Sequence, residues 1–386
     1  MLIAVIGKTN VGKSTYFKAA TLANVEIANR SFVTLKPNHA VGYVNIECAD
    51  KDLKVKCEPR TGYCYNNQRF IPVELLDIPG LIENAHQGAG LGLSFLNAIR
   101  EADALIQVVD VSGMTNEKGE PTQYHDPRND VLMLEKELDE WFYGLLKKNW
   151  DSLQKQLHQK EKELKKELFL KFSGLKITEE QIESVLKKED PNKDLRSFCK
   201  ELRKLSKPML IVANKIDIPG SENNLSLLQK SFPNYMVIPC SAEAELALKE
   251  ATRRNLIDYA AGENQFKIVS PEITEKQKDA LRFLRGFLKK YNATGLQESL
   301  NKTIFSLLKY IPVYPVENEN RFIDKNGDVL PDVHLLKEGS TALDLAYKIH
   351  TDIGKKFLYA IDAKNKRRLK KDYVLESHDI IKIVTT

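Results

Sequence analysis

The stretch Leu2-Ile3-Ala4-Val5-Ile6-Gly7-Lys8-Thr9-Asn10-Val11-Gly12-Lys13-Ser14-Thr15 is an apolar strand running straight into G-x-x-x-x-G-K-[ST], the phosphate-binding loop. A phosphate chain needs several backbone N–H groups converging on it, and glycines stand where a Cβ would block the approach. Ser14 to Ala20 reads as the helix that follows, its positive end turned toward the anion. Asn10 to Thr15 therefore form the expected cradle of a nucleoside triphosphate. Lys13 is placed to reach the β- and γ-phosphates, and the Ser14 hydroxyl to meet Mg²⁺.

At 386 residues the chain is expected to hold two or three domains. Its 42% hydrophobic and 29% charged content is that of a soluble globular protein. The first apolar run is too short for a membrane span and has no basic leader, so a cytoplasmic protein without membrane contact is expected. Five cysteines, an odd number, fit free thiols in a reducing compartment. Cys48, Cys57 and Cys64 lie close in sequence, but no C-x-x-C pair supports a metal site, and they are read as ordinary small residues.

Downstream, Thr34 lies in a polar loop where nucleotide hydrolases place a threonine against Mg²⁺ and the γ-phosphate. Strands are expected at about 41–46 and 71–76, the second closed by Asp77-Ile78-Pro79-Gly80. That spacing puts the Asp77 carboxylate near the metal and the Gly80 amide near the γ-phosphate. A glycine-rich loop, 81–92, leads to a helix expected at 93–102. Where Ras-type enzymes carry the glutamine that orients the attacking water, this chain has Leu81, which cannot do so. His86 is the nearest residue able to orient or deprotonate water.

A buried-type strand, 104–109, ends at Asp110. From Asp130 to Lys207, leucines recur at helical spacing among Lys, Glu and Gln, an insertion of two or three long amphipathic helices broken near Ser173-Gly174 and Asp190-Pro191. Between Leu145 and Lys207 there are 17 Lys and Arg against 11 Asp and Glu, which accounts for the whole +5 excess. Such a surface is a solvated face or a polyanion contact.

The strand 208–213 delivers Asn214-Lys215-Ile216-Asp217, which is Asn-Lys-x-Asp. The Asp217 carboxylate can accept two N–H bonds from guanine that adenine cannot offer, so GTP is preferred to ATP. A last strand, 236–239, ends in Cys240-Ser241-Ala242, whose Ala242 amide is expected to meet the guanine carbonyl. Five nucleotide elements thus occur in order, each at the carboxyl end of a strand, where open α/β sheets bind ligands. Residues 243–309 read as helical, with an apolar face through Leu281, Phe283, Leu284, Phe287 and Leu288. From Ile311 strands return, with a helix from Thr341 to Thr351 capped by Ser340. The basic run Lys364 to Lys371 is either a charged hairpin or a phosphate-backbone contact.

The segment from Asp77 to Gly92 closely resembles the signature of the Obg family of GTPases. The helical insertion and a C-terminal module resembling the TGS domain of threonyl-tRNA synthetase point to its YchF branch. The resemblance covers nearly the whole chain. It implies an α/β fold: a Ras-like P-loop NTPase G domain over 1–129 and 208–265, a helical coiled-coil insertion over 130–207, a helical connection over 266–310 and a β-grasp TGS domain over 311–386. It also implies association with the ribosome or rRNA, His86 as substitute for the missing glutamine, and potassium activation through Asn10. Many members of this branch carry an altered base-reading element and prefer ATP, whereas Asn214-Lys215-Ile216-Asp217 is intact here. An ATPase, and an RNA-binding module using nucleotide as a conformational cofactor, are the alternatives.

Overall fold

The computed structural model describes residues 1–22, 38–78, 98–156 and 161–386. Seven strands build the first sheet: β1 (Leu2–Ile6), β2 (His39–Glu47), β3 (Tyr63–Tyr65), β4 (Gln68–Asp77), β5 (Ala104–Asp110), β6 (Met209–Asn214) and β7 (Val237–Cys240). Their order is β2-β4-β1-β5-β6-β7, with β3 also on β4. The run from β4 to β7 is parallel, whereas β2 and β3 lie antiparallel to β4. Parallel strands are covered on both faces, which is why LIAVI, ALIQVVD and MLIVAN are near-continuous apolar runs whose residues are all buried. Their carboxyl ends bring Gly7, Asp77, Asp110, Asn214 and Cys240 to one edge.

The insertion comprises, among the described residues, one long helix of 29 residues, Arg128–Gln156, and three shorter ones, Glu161–Phe172, Glu179–Leu186 and Leu195–Ser206. The expected breaks near Ser173-Gly174 and Asp190-Pro191 fall between these helices, after Phe172 and after Leu186. Thr178 forms a capping box with Gln181, and Asp194 accepts from the Ser197 amide, so each starts a new helix. Phe142, Leu146, Phe172, Phe198 and Leu202 make a separate core. Buried Arg203 ties the last helix to the first through Asp139 at 2.8 Å and Glu135 at 3.3 Å. Arg196 pairs with Glu140, and Lys165 with Glu183, so part of the basic excess is neutralised inside the insertion.

Residues 243–309 are not helical throughout. After the helix Ala242–Arg253, a short antiparallel pair, β8 (Ile257–Asp258) and β9 (Lys267–Ile268), interrupts them. The helix Glu275–Tyr291 then packs Leu281, Leu284, Phe287 and Leu288 on the first sheet's flank, while Phe283 is exposed.

The second sheet contains β10 (Tyr310–Val316), β11 (His334–Lys337), β12 (Phe357–Asp362), β13 (Arg367–Leu369) and β14 (Ile380–Thr385), in the order β11-β10-β14-β12-β13 with β10 and β14 parallel. Its helix is Ala342–Ile349, capped by Thr341 in a box with Asp344 rather than by Ser340; Thr351 opens a separate short turn, Thr351–Lys355. The basic run is a charged hairpin between β12 and β13, with Arg368 stacked 3.7 Å from the Tyr359 ring centroid. The two sheets share one apolar cluster, in which Val44 and Ile71 join Tyr314, Val316 and Leu330.

Candidate functional site: a phosphate loop and its base-reading neighbour

At the end of β1 the chain must turn past β5. A Cβ on Gly7 would lie 2.6 Å from the Val108 carbonyl oxygen, so only glycine passes there. Gly12 has φ +90°, and a Cβ on it would lie 2.2 Å from the Asn214 side-chain nitrogen. The helix Lys13–Thr21 starts directly after Gly12 with no side-chain cap and no acidic residue in its first turn. Among the described residues no side chain caps its first N–H groups, and such a helix start is a ready site for an anion.

A cavity of about 440 Å³ opens at this point, lined by Lys8 to Asn10, Gly12 to Thr15, and Lys215. Lys13 Nζ is paired with Asp77 Oδ1. The Lys13 side chain is 10% exposed and that of Asp77 25%, so the phosphate-loop cation and the carboxylate of Asp-x-x-Gly meet at one half-shielded point. Val11 serves differently: its side chain is buried, and its carbonyl accepts from Asn214 Nδ2 at 2.9 Å.

That bond belongs to a network within the protein that joins the residues expected to read the base. Asn214 is buried and acts as a bracket, because its Oδ1 also accepts from the Ala242 N–H at 3.0 Å. The Ala242 amide expected to meet the guanine carbonyl is thus engaged within the protein. Ser241 is buried too, and its Oγ caps the helix Ala242–Arg253 by accepting from the Ala244 N–H at 3.2 Å. Lys215 Nζ donates to the Asn10 carbonyl at 2.8 Å and to Asp110 Oδ2 at 2.7 Å, fastening the phosphate loop to β5. Asp217 remains half-buried, and its carboxylate has no hydrogen-bond partner among the described residues.

Two supports escaped the motif reading. Fully buried Asp110 accepts from Lys215, from Thr115 Oγ1 at 2.6 Å and from Ser112 Oγ at 2.5 Å. Burial alone would raise its pKa, yet these donors hold it below the ordinary carboxylate value. Its position at the end of a buried strand was the available signal. The second support is buried Lys8, which donates to the Thr115 carbonyl and to Asp130 Oδ1, both at 2.8 Å; His125 Nε2 meets the same Asp130 oxygen at 2.7 Å. Asp130 lies in the first turn of the insertion's long helix, so the phosphate loop and the insertion are in direct contact. Asn10 Nδ2 donates to the Gly119 carbonyl at 2.8 Å. Thr34, Gly80, Leu81 and His86 lie outside the described residues.

Three family profiles match successive parts of the chain. The 50S ribosome-binding GTPase profile covers residues 2–141. The Obg-like GTPase YGR210-like, G4 motif-containing domain covers 212–318, and the TGS domain covers 321–385. A GTP-binding protein of Methanocaldococcus jannaschii is 48% identical over 391 residues, 100% of this chain and 99% of the relative. The ribosome-binding ATPase YchF of Mycoplasma genitalium is 32% identical over 268 residues, 66% of this chain and 69% of the relative. The chain belongs to the YchF branch of the Obg-like GTP-binding proteins. A crystal structure of the GTP-binding protein from Pyrococcus horikoshii OT3 is similar to this YchF-branch chain over 100% of both, with 38% identity and a TM-score of 0.79. The G domain and C-terminal TGS domain are accordingly those of the family. Among the described residues no helix is long and apolar enough to cross a membrane.

Proposed function

We propose that this YchF-branch protein is a Mg²⁺-dependent GTP hydrolase that works as a ribosome-associated switch. The observation that carries the reading is the meeting of Lys13 with Asp77 beside the phosphate cavity. A triphosphate offers oxygens to Lys13, and a metal cation offers Asp77 a replacement partner, so each half of the ion pair has a natural exchange. The donor set of the Ser14 hydroxyl and the Asp77 carboxylate is all oxygen, which suits hard Mg²⁺; Thr34 would complete it. When bound, Mg²⁺ neutralises charge on the β- and γ-phosphate oxygens.

The protein's own residues do the rest. The amides from Asn10 to Thr15 cradle the phosphates, and Lys13 offsets charge that grows on them as the terminal bond breaks. Asn214 and Lys215 hold the phosphate loop against the base loop, while Asp217 takes two guanine N–H bonds. Gly80 senses the γ-phosphate and His86 orients water in place of Leu81. Asn10, whose amide nitrogen donates to the Gly119 carbonyl, would offer its side-chain oxygen to a K⁺ ion.

An ATP-hydrolysing reading has one support, the name of the Mycoplasma relative; the intact Asn214-Lys215-Ile216-Asp217 argues against it. The test is GTP turnover of the full chain, alone and with ribosomes, for the wild type, Lys13→Ala and His86→Ala. Wild-type turnover that ribosomes accelerate, lost by about 100-fold or more in Lys13→Ala, supports the proposal. Unchanged GTP hydrolysis in His86→Ala would remove His86 from the mechanism. Negligible turnover with and without ribosomes would favour a conformational nucleotide cofactor.

A further inference from the structure

At the opposite end of β4 from Asp77, roughly 25 Å along the strand, three cysteines and an aspartate converge. Cys48 follows β2, Asp50 opens the short helix Asp50–Leu53, Cys57 lies in the next loop and Cys64 lies in β3. Their Sγ and carboxylate oxygen atoms all lie within 4.8 Å of one another. The Sγ atoms of Cys48 and Cys57 are 3.6 Å apart, and Cys64 Sγ is 3.9 Å from Asp50 Oδ2. A disulfide would need about 2.05 Å. Two thiolates on one tetrahedral zinc, with Zn–S of about 2.3 Å, stand about 3.8 Å apart. The spacing between Cys48 and Cys57 is that of ligands sharing a metal.

Two further observations point the same way. Asp50 is 7% exposed, and its buried Oδ1 has no hydrogen-bond partner among the described residues, which is costly for a carboxylate unless something coordinates it. Arg69 stands directly opposite Cys64 in the β3–β4 pairing and is completely buried. Its guanidinium donates only to carbonyls, those of Leu330, Pro331 and Thr61, its Nε is unpartnered, and no carboxylate pairs with it among the described residues. A buried cation needs a nearby negative charge. Three thiolates and a carboxylate around a divalent ion would put a net charge of about −2 on the paired strand and the segment leading to it.

We infer that Cys48, Asp50, Cys57 and Cys64 form a structural zinc site, distinct from the nucleotide site. Thiolates select zinc over the hard Mg²⁺ of the phosphate site, and four protein ligands close the tetrahedron to water. Binding displaces the thiol protons into solvent and changes no oxidation state. The site fastens the segment 48–64, on which the C-terminal domain rests. The Ala49 N–H donates to the Tyr314 hydroxyl at 3.4 Å, Glu58 N–H to the Val329 carbonyl at 2.8 Å, and Arg60 N–H to the Pro331 carbonyl at 3.0 Å. The motif reading grouped Cys48, Cys57 and Cys64 but set a metal site aside for want of a C-x-x-C pair, and Asp50 carries no cysteine-spacing signal.

The test is elemental analysis of the full-length protein purified without added metal, followed by titration of the metal-stripped wild type with Co²⁺. The expected result is about one zinc per chain, and a Co²⁺ derivative with intense thiolate-to-metal charge transfer and tetrahedral d–d bands that zinc abolishes. Cys57→Ser and Asp50→Asn should weaken zinc binding by more than about tenfold, while Cys199→Ser, a buried thiol of the insertion, leaves it unchanged. Because Cys57→Ser could fail to fold, the wild-type Co²⁺ spectrum stands as the independent readout. Purified protein without zinc whose stripped form gives no thiolate–Co²⁺ band, or a Cys48–Cys57 disulfide in protein kept under reductant, would overturn the inference.

Discussion

Asn214 shows what a motif fixes and what it leaves open. Asn-Lys-x-Asp places the side chain at the carboxyl end of β6, but only the packed structure reveals that its amide bridges the Val11 carbonyl and the Ala242 N–H. Asn214→Ala orphans two buried backbone groups, each costing about 1–3 kcal/mol. Chemical denaturation should show that loss, with weaker nucleotide binding because the two loops are no longer held together; unchanged stability would deny the bracket. The motifs put Lys13 at the start of the helix after β1 and Asp77 at the end of β4, but their ion pair had no sequence signal. Ser241 and Ala242 were legible in place and not in partner, since cap and bracket bonds depend on neighbours distant in the chain.

Secondary-structure elements add a link that no spacing rule predicts. Lys8 joins the phosphate loop to the first turn of the insertion helix through Asp130 and His125, all deeply buried. Lys8→Met leaves Asp130 without its cation and should cost about 3–5 kcal/mol in urea unfolding; adding Asp130→Leu should recover a large part of it. If the single substitution is neutral, the pairing does not couple loop and insertion. The insertion's return end is seated by Lys207, which donates to the carbonyls of Arg100 at 2.9 Å and Ala102 at 2.7 Å. Burial lowers its pKa from 10.5 to about 8. Between those values the unfolded chain holds a proton that the folded chain lacks, so stability rises with pH across the window, by roughly 3 kcal/mol from this group. Lys207→Met should flatten the rise in stability measured from pH 8 to 10.5. Helix periodicity placed the insertion, and Ser173-Gly174 and Asp190-Pro191 marked two of its breaks; the caps Thr178 and Asp194 that start the next helices carried no leucine-pattern signal.

For the whole molecule, the sequence separates a G domain, an insertion and a β-grasp module, and the structure packs the first and last around one shared core. Glu58, Arg60 and Arg69 make that union through backbone carbonyls of 329–331, bonds without sequence periodicity and hence invisible beforehand. Under the proposed function, the exposed hairpin carrying Lys366, Arg367 and Arg368 is a candidate contact for RNA phosphate. Neutralising all three should weaken ribosome binding in a sedimentation assay and reduce its log–log salt slope by about 2 to 3, at roughly 0.7–0.9 for each phosphate no longer neutralised. An unaltered slope would leave the hairpin a solvated turn.

The proposed switch depends on the pocket lined by Lys13 and Lys215 taking a nucleotide whose guanine Asp217 reads. The most direct test is titration calorimetry of the full-length protein with non-hydrolysable GTP and ATP analogues, in Mg²⁺ and potassium buffer, repeated with Asp217→Asn. Tight binding of the guanine analogue, with the adenine analogue weaker by about 100-fold or more and the gap largely closed in Asp217→Asn, is the predicted result. Equal or tighter binding of the adenine analogue by the wild type would contradict it.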